Sequence, residues 1–325
     1  MSAVQPSQTT RARRAVGIAI GDPNGIGPEI AIRAALALGG APGMSPLVLI
    51  GDRHVIDRTA DQLRLGPAER ERLAVVDVGA LAPDAWQPGK VDPRAGAATV
   101  AYVRKGVELW RAGELAAVAA CPHSETAVNA AGIPFSGYAG LVADLTATPR
   151  DQVFLMLCAG ALRVVHVTVH ERLADAISRI TPAHIVSAAA AAAASVRRMG
   201  VEQPRFCVLG INPHAGEGGL FGDDDERVTR PAVAQLRESG LHVDGPAGAD
   251  LALSEQKHDV YVAMYHDQGH IAVKMISPKG ASAVVAGSPL LFASVGHGAA
   301  FDIAGKACAD ATAMIDTVRL LAEVA

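Results

Sequence analysis

The sequence predicts an α/β fold built on a largely parallel sheet. Short apolar runs recur along the chain, each closed by Gly, Pro, Asp or His, and amphipathic or alanine-rich segments separate them. Strands that alternate with helices form parallel sheets, because a parallel connection needs a crossover long enough to return the chain.

The expected strands are residues 16–20, 47–50, 73–78, 115–120, 152–157, 162–169, 206–209, 260–264 and 283–286. Between the first two lies GDPNGIGPE, residues 21–29, where Gly25 and Gly27 admit positive φ and Pro28 presets a first helical turn. Further on, Thr181 and Pro182 precede an alanine tract at 187–196. A Thr cap, Pro at the first helical position and the high propensity of Ala predict a helix there, not a membrane span. The Gly/Asp-rich stretch 216–225 is left without regular structure.

Composition narrows the classes. At 325 residues the chain accommodates two average domains or one large one, with no need of disulfides. Half of it is hydrophobic but only 4% is aromatic, so Ala, Val, Leu and Ile fill the core. The net charge is -4, with no basic block beyond Arg11, Arg13 and Arg14, which argues against nucleic acid as a partner. Cys121, Cys158, Cys207 and Cys308 are scattered without a CxxC spacing, so a reducing, cytoplasmic setting is expected. Residues 1–15 lack an apolar core and read as a disordered leader, and no run is long enough to span a bilayer.

Polar tips follow five strands: GDPNGIGPE, Cys121-Pro122-His123, His170-Glu171, the Gly210–His214 turn, and Tyr265-His266-Asp267-Gln268-Gly269. Ligands bind outside the carboxyl ends of strands in open α/β sheets, so the five tips are expected on one edge around one site. A single histidine is more often structural than a ligand. His170, His214 and His266, however, occupy equivalent strand-end positions. Three imidazoles with an open position make a catalytic site for one divalent metal, with Zn, Co, Mn, Fe and Mg all chemically suitable. His266 and His270 share the spacing of a zinc-protease helix, but HDQGH lacks the Glu, contains Gly269 and follows a strand, so that site is not expected. His166 is expected to be a hydrogen-bonded core residue.

The loop at 21–29 is either a tight turn or a ligand loop whose helix N-terminus faces an anion or a cofactor carboxamide. It does not match GxGxxG, so a standard dinucleotide site is not supported. A second Gly-rich segment, 294–310, surrounds His297 and Asp302 with small residues. It either admits a flat cofactor ring, with Asp302 accepting from ribose hydroxyls, or caps the last helix.

GDPNGIGPE, AAGIPFSGY (130–138), INPHAGEGG (211–219), AMYHDQGH (263–270), SVGHG (294–298) and DIAGK (302–306) together resemble the PdxA family of 4-hydroxythreonine-4-phosphate dehydrogenases, over nearly all of the chain after residue 16. GIGPE and HGxAxDIAG are also similar to segments of isocitrate and isopropylmalate dehydrogenases. The resemblance implies two α/β/α domains with a cleft between them. The first joins residues 16–135 to 295–325, and the second, 136–294, carries most metal and dimer contacts. It implies a homodimer with a shared active site, His170 and His214 of one subunit and His266 of the other holding the metal. It places NAD, with NADP less expected, against residues 294–304, so that Ser294, Gly296, His297, Gly298 and Asp302 join Gly25 and Gly27 of the first loop as expected cofactor contacts. The implied reaction oxidises a secondary alcohol β to a carboxylate and then decarboxylates it. Lys274 is the implied substrate contact, with Asp250 and Asp267 as proton-transfer or ligand-orienting groups.

The departures concern the substrate. Where phosphate-using members carry His-Thr-Glu, Gly137 is followed by Tyr138-Ala139-Gly140; Glu125 replaces a lysine, and Ala283 and Phe292 replace an Asn and an Arg. A phosphate dianion needs cationic, bidentate donors, and these are gone. CPHSETAVNAAGIPFSGY and the SVGHGAAFDIAGK segment instead resemble the branch acting on terephthalate-type cis-dihydrodiols. Tyr138, Ala283 and Phe292 are then expected to join Lys274 around a small, non-phosphorylated carboxylate. The alternatives are 4-hydroxythreonine-4-phosphate oxidation in pyridoxal phosphate synthesis and a His₃ metal hydrolase without NAD.

Overall fold

A computed structural model of the chain describes residues 13–278 and 280–322. Its strands are β1 (Ala15–Ala19), β2 (Leu47–Gly51), β3 (Val75–Asp77), β4 (Leu115–Ala120), β5 (Phe154–Ala159), β6 (Leu162–His166), β7 (Arg205–Leu209), β8 (His242–Ala247), β9 (Val260–Ala263), β10 (Ser282–Ala286) and β11 (Leu291–Val295). Every predicted strand is present, and β8 and β11 are additional. The leader expected at 1–15 lies outside the described residues as far as residue 12, and Ala15 already pairs with Leu115.

All these strands join one sheet in the order β3-β2-β1-β4-β11-β10-β5-β6-β9-β7-β8. Five of them, β3-β2-β1-β4-β11, form one parallel block, and β6-β9-β7-β8 form another. Between the blocks β10 is antiparallel to β11 and to β5, and β5 is antiparallel to β6. Three reversals leave the two blocks pointing in opposite directions.

This corrects the expectation of a single ligand-binding edge. The tips after β1, β4 and β11 lie on one edge, and those after β6, β7 and β9 on the other. An apolar run encodes a strand but not its direction, and the antiparallel seam reverses the second block.

Helices cover the sheet as the residue pattern dictates. Gly27–Leu38 and Thr312–Ala322 pack together on the first block, the latter against β4 and β11, so both chain ends build this half. The alanine-tract helix, Pro182–Arg198, packs on β5, β6, β9 and β10. Its predicted cap is present: Thr181 Oγ1 accepts from His184 N at 3.2 Å, a contact worth about 1 kcal/mol. Ala188, Ala189 and Ala192 are buried, and their small side chains bring the helix close to the strands. No helix among the described residues is long and apolar enough to cross a membrane.

Candidate active site at two edges of the sheet

At the first edge the backbone shapes the site. Neither Gly25 nor Gly27 has positive φ; Gly21 does, at +71°. The two glycines are required by close approach instead. A Cβ on Gly27 would sit 2.1 Å from Ile20 O, and one on Gly25 would sit 2.8 Å from Ala299 O. The latter contact joins the two Gly-rich segments, and Ile26 N donates to Ala299 O at 2.9 Å. Glu29, buried on the first helix, accepts from Ala309 N and from Arg33, and so pins the far end of the second segment. Asp310 Oδ1 accepts from Thr312 N, so the segment also caps the last helix. Gly25, Gly296, His297 and Gly298 are thus carried by two neighbouring loops, with Gly27 opening the first helix, Ser294 buried near the end of β11 and Asp302 exposed.

Asp22, which sequence reasoning passed over, lies fully buried in the first loop. Its Oδ1 accepts from Asn24 N at 2.9 Å, while Oδ2 has no partner. Burial pushes its carboxyl up to about 6, with Asp92 adding to the rise and the Asn24 N–H opposing it. Asn24 fixes the loop by accepting from Gln87 N and donating to Lys90 O.

At the second edge side chains shape the site. The rings of His170 and His266 are 5.4 Å apart. His266 opens the helix His266–Ile276, and Gly269 serves packing: its Cβ would lie 2.3 Å from His166 Nε2. His270 stacks on His266 at 3.6 Å. His166 is the expected core histidine, buried, with Nδ1 3.2 Å from Leu155 O and Nε2 3.1 Å from His270 Nδ1. Burial and the neighbouring imidazoles push His166 down to about 3 and His270 to about 4, so both are neutral.

His214 sits in Pro213–Gly219, where His214, Ala215, Gly216, Glu217 and Gly218 all have positive φ. Left-handed backbone costs about 1 kcal/mol or more at each non-glycine residue. Asp225 offsets that cost. It is buried and accepts from Ile211 N at 2.8 Å, Asn212 N at 3.0 Å and Thr229 Oγ1 at 2.7 Å. The stretch left without structure therefore contains the anchor of the His214 turn. Gln268 then ties the two histidine loops together, donating to Gly210 O and accepting from Met264 N.

His266 Nδ1 lies 2.6 Å from Asp267 Oδ1, and His214 Nδ1 lies 2.8 Å from Glu217 Oε2. A carboxylate only accepts, so each Nδ1 carries a proton, which in the neutral ring leaves the lone pair on Nε2. Metal-ligating histidines are characteristically held in this way. The donor chemistry fits a divalent metal. Among the described residues, though, no three metal-type side chains of one chain converge. His170 and His266 are neighbours, and His214 stands apart from them.

Lys274, at the far end of the His266 helix, donates to Gly296 O at 2.7 Å and so links the two edges. Asp250 lies near His214, since a Cβ on Gly248 would be 3.1 Å from Asp250 Oδ1 and 3.6 Å from His214 Cα. Asp250 and Asp267 line a cavity of about 550 Å³; His170, His266 and Asp267 line an adjoining one of about 250 Å³.

The expected substrate contacts need correction. Phe292 is fully buried and Tyr138 nearly so, their rings 5.4 Å apart, and the Tyr138 hydroxyl donates to Cys121 O at 2.8 Å. They form an aromatic floor. Ala283 is half-buried beside them on β10. The more open member is His123, edge-on to Tyr138 at 4.5 Å and Phe135 at 4.8 Å, with its pKa lowered by burial.

Comparison with known proteins places this architecture. The family model for the pyridoxal phosphate biosynthetic protein PdxA matches residues 43–321. A 1,2-dihydroxy-3,5-cyclohexadiene-1,4-dicarboxylate dehydrogenase of Comamonas is 46% identical, covering 96% of this chain and 98% of that protein. The crystal structure of a terephthalate 1,2-cis-dihydrodiol dehydrogenase from Burkholderia xenovorans is 48% identical, with a TM-score of 0.72, covering 95% of this chain and 97% of that one. A 4-hydroxythreonine-4-phosphate dehydrogenase structure from Klebsiella pneumoniae is 33% identical, with a TM-score of 0.85, covering 97% and 99%. The chain belongs to the PdxA family.

Proposed function

We propose that this chain is an NAD- and divalent-metal-dependent dehydrogenase of a non-phosphorylated cis-dihydrodiol carboxylate, which it oxidises and decarboxylates to an aromatic ring. The observation that carries the metal part is the pair of Nδ1-to-carboxylate contacts at His214 and His266. The substrate part rests on the likeness to the two dihydrodiol dehydrogenases.

His170, His214 and His266 would hold the metal, which when bound supplies Lewis acidity toward the substrate oxygens. The loops at 21–29 and 294–304 would hold NAD, the hydride acceptor. Asp267 and Glu217 fix the ring orientation of His266 and His214. The Lys274 ammonium, steadied by Gly296 O, offers a substrate carboxylate a counter-charge beside the cofactor loops. Asp250 lines the same cavity as Asp267, within reach of a departing proton.

In this reading the two sheet blocks belong to two α/β domains, with β11 carried by the first, and the site is completed in a homodimer. Leu173 and Leu251, beside the histidine loops, and Ile271, Met275 and Ile276, along the His266 helix, are exposed, and Met275 is 78% exposed. An apolar group of this kind marks an association surface.

The test is NADH formation from two substrates, the dihydrodiol dicarboxylate and 4-hydroxythreonine 4-phosphate. Efficient turnover of the first alone is expected; preference for the phosphate ester would sink the substrate reading. His214→Ala should lower metal-dependent turnover at least about a hundredfold. Lack of NAD binding by calorimetry would favour the hydrolase alternative.

A further inference from the structure

A substrate held between the metal histidines and Lys274 would have to pass over His270. His266, His270 and Lys274 occur at i, i+4 and i+8 on one face of a single helix. The two outer residues are those that the proposed function assigns to metal and carboxylate. His270, half-buried between them, has no role in that scheme.

The hydrogen-bond chain beneath it settles which atom it presents. Leu155 O can only accept, so His166 Nδ1, at 3.2 Å, carries a proton. His270 Nδ1 lies 3.1 Å from His266 O, another pure acceptor, so it too carries a proton. The facing His166 Nε2, 3.1 Å from His270 Nδ1, must then be bare. Gly269 permits this chain, because any side chain there would displace the His166 ring. The stack on His266 sets the plane of the His270 ring, 12° from parallel. The remaining atom, His270 Nε2, has no hydrogen-bond partner among the described residues.

We infer that His270 is a specificity-determining residue, whose Nε2 accepts a hydrogen bond from a substrate hydroxyl, and that His166 is a positioning residue that fixes its tautomer. The inference rests on the dehydrogenase reading above. A bare imidazole nitrogen, held from behind by a buried partner, favours a hydroxylated carbon skeleton over one without a donor at that place.

The test compares His270→Phe, His270→Gln and His166→Phe. Phenylalanine keeps a ring and deletes the acceptor; glutamine returns one. His270→Phe should raise KM for the dihydrodiol dicarboxylate about tenfold, with manganese binding, followed by electron paramagnetic resonance, and NAD affinity unchanged. His270→Gln should recover part of that loss, and His166→Phe should show a smaller rise. An unchanged KM in His270→Phe would overturn the inference, as would lost manganese affinity, which would make His270 a ligand. If His270→Phe fails to fold, the His270→Gln and His166→Phe values of KM decide. Should the wild type oxidise only the phosphate ester, the substrate reading falls alone, and the same ratios measured on that ester judge His270.

Discussion

The edge where β1, β4 and β11 end is built of backbone; the edge where β6, β7 and β9 end is built of side chains. At the first, glycines touch carbonyl oxygens, and the loops are locked by buried Asp22, Asn24 and Glu29. At the second, half-buried and exposed imidazoles stand on carboxylates, bordered by exposed apolar residues. A backbone-built site is complete within one chain. A side-chain site can be divided between chains, as the proposed function has it for the histidine edge.

The largest effect should come from Gly27→Ala. The new Cβ meets Ile20 O at 2.1 Å, and main chain cannot yield cheaply. A loss of about 3 kcal/mol in urea denaturation is expected; a wild-type midpoint would break the claim that backbone contact builds this edge. Ile271→Glu sharpens the other side. It should weaken self-association about a hundredfold by sedimentation, roughly 2.7 kcal/mol, and reduce turnover while NAD still binds.

Asp225→Ala comes next, at about 2 kcal/mol, since it strands the Ile211 and Asn212 N–H groups. Metal affinity should fall with it, and an unaffected metal isotherm would separate the His214 turn from its anchor. The last change, of similar size, is a gain. Asp22 holds its proton up to about pH 6 in the folded chain, against an ordinary 3.8. The folded state therefore binds more protons between about pH 4 and 6, and stability is lost as pH rises through that window. Asp22→Asn should flatten this slope and add about 2 kcal/mol at pH 8, read from denaturation midpoints at both pH values.

Much of the fold was legible in the residues because period and punctuation mark a strand wherever its apolar run is long enough. β8, His242–Ala247, escaped because HVDGPA carries a Gly-Pro pair and polar residues, as befits a strand at the sheet's edge. β11 was absorbed into the Gly-rich segment that follows it. Strand direction was not legible, because it depends on the seam through β10 and β5. His214 and His266 were legible as types at strand ends, but their Nδ1 partners were only partly so: Asp267 is adjacent in sequence, whereas Glu217 needed the left-handed turn. Phe292 suggested a ligand contact by its chemistry, and burial put it beneath the site.

The helix from His266 to Ile276 begins at one edge, and its Lys274 is clasped to the other through Gly296. Each residue in a helix adds 1.5 Å and turns the next side chain by about 100°. A one-residue insertion or deletion between His266 and Lys274 would leave one end out of phase with the other. Length variation in this family should therefore avoid this interval, and the nine positions from 266 to 274 form a ruler that keeps the histidine edge and the glycine loops at a fixed separation.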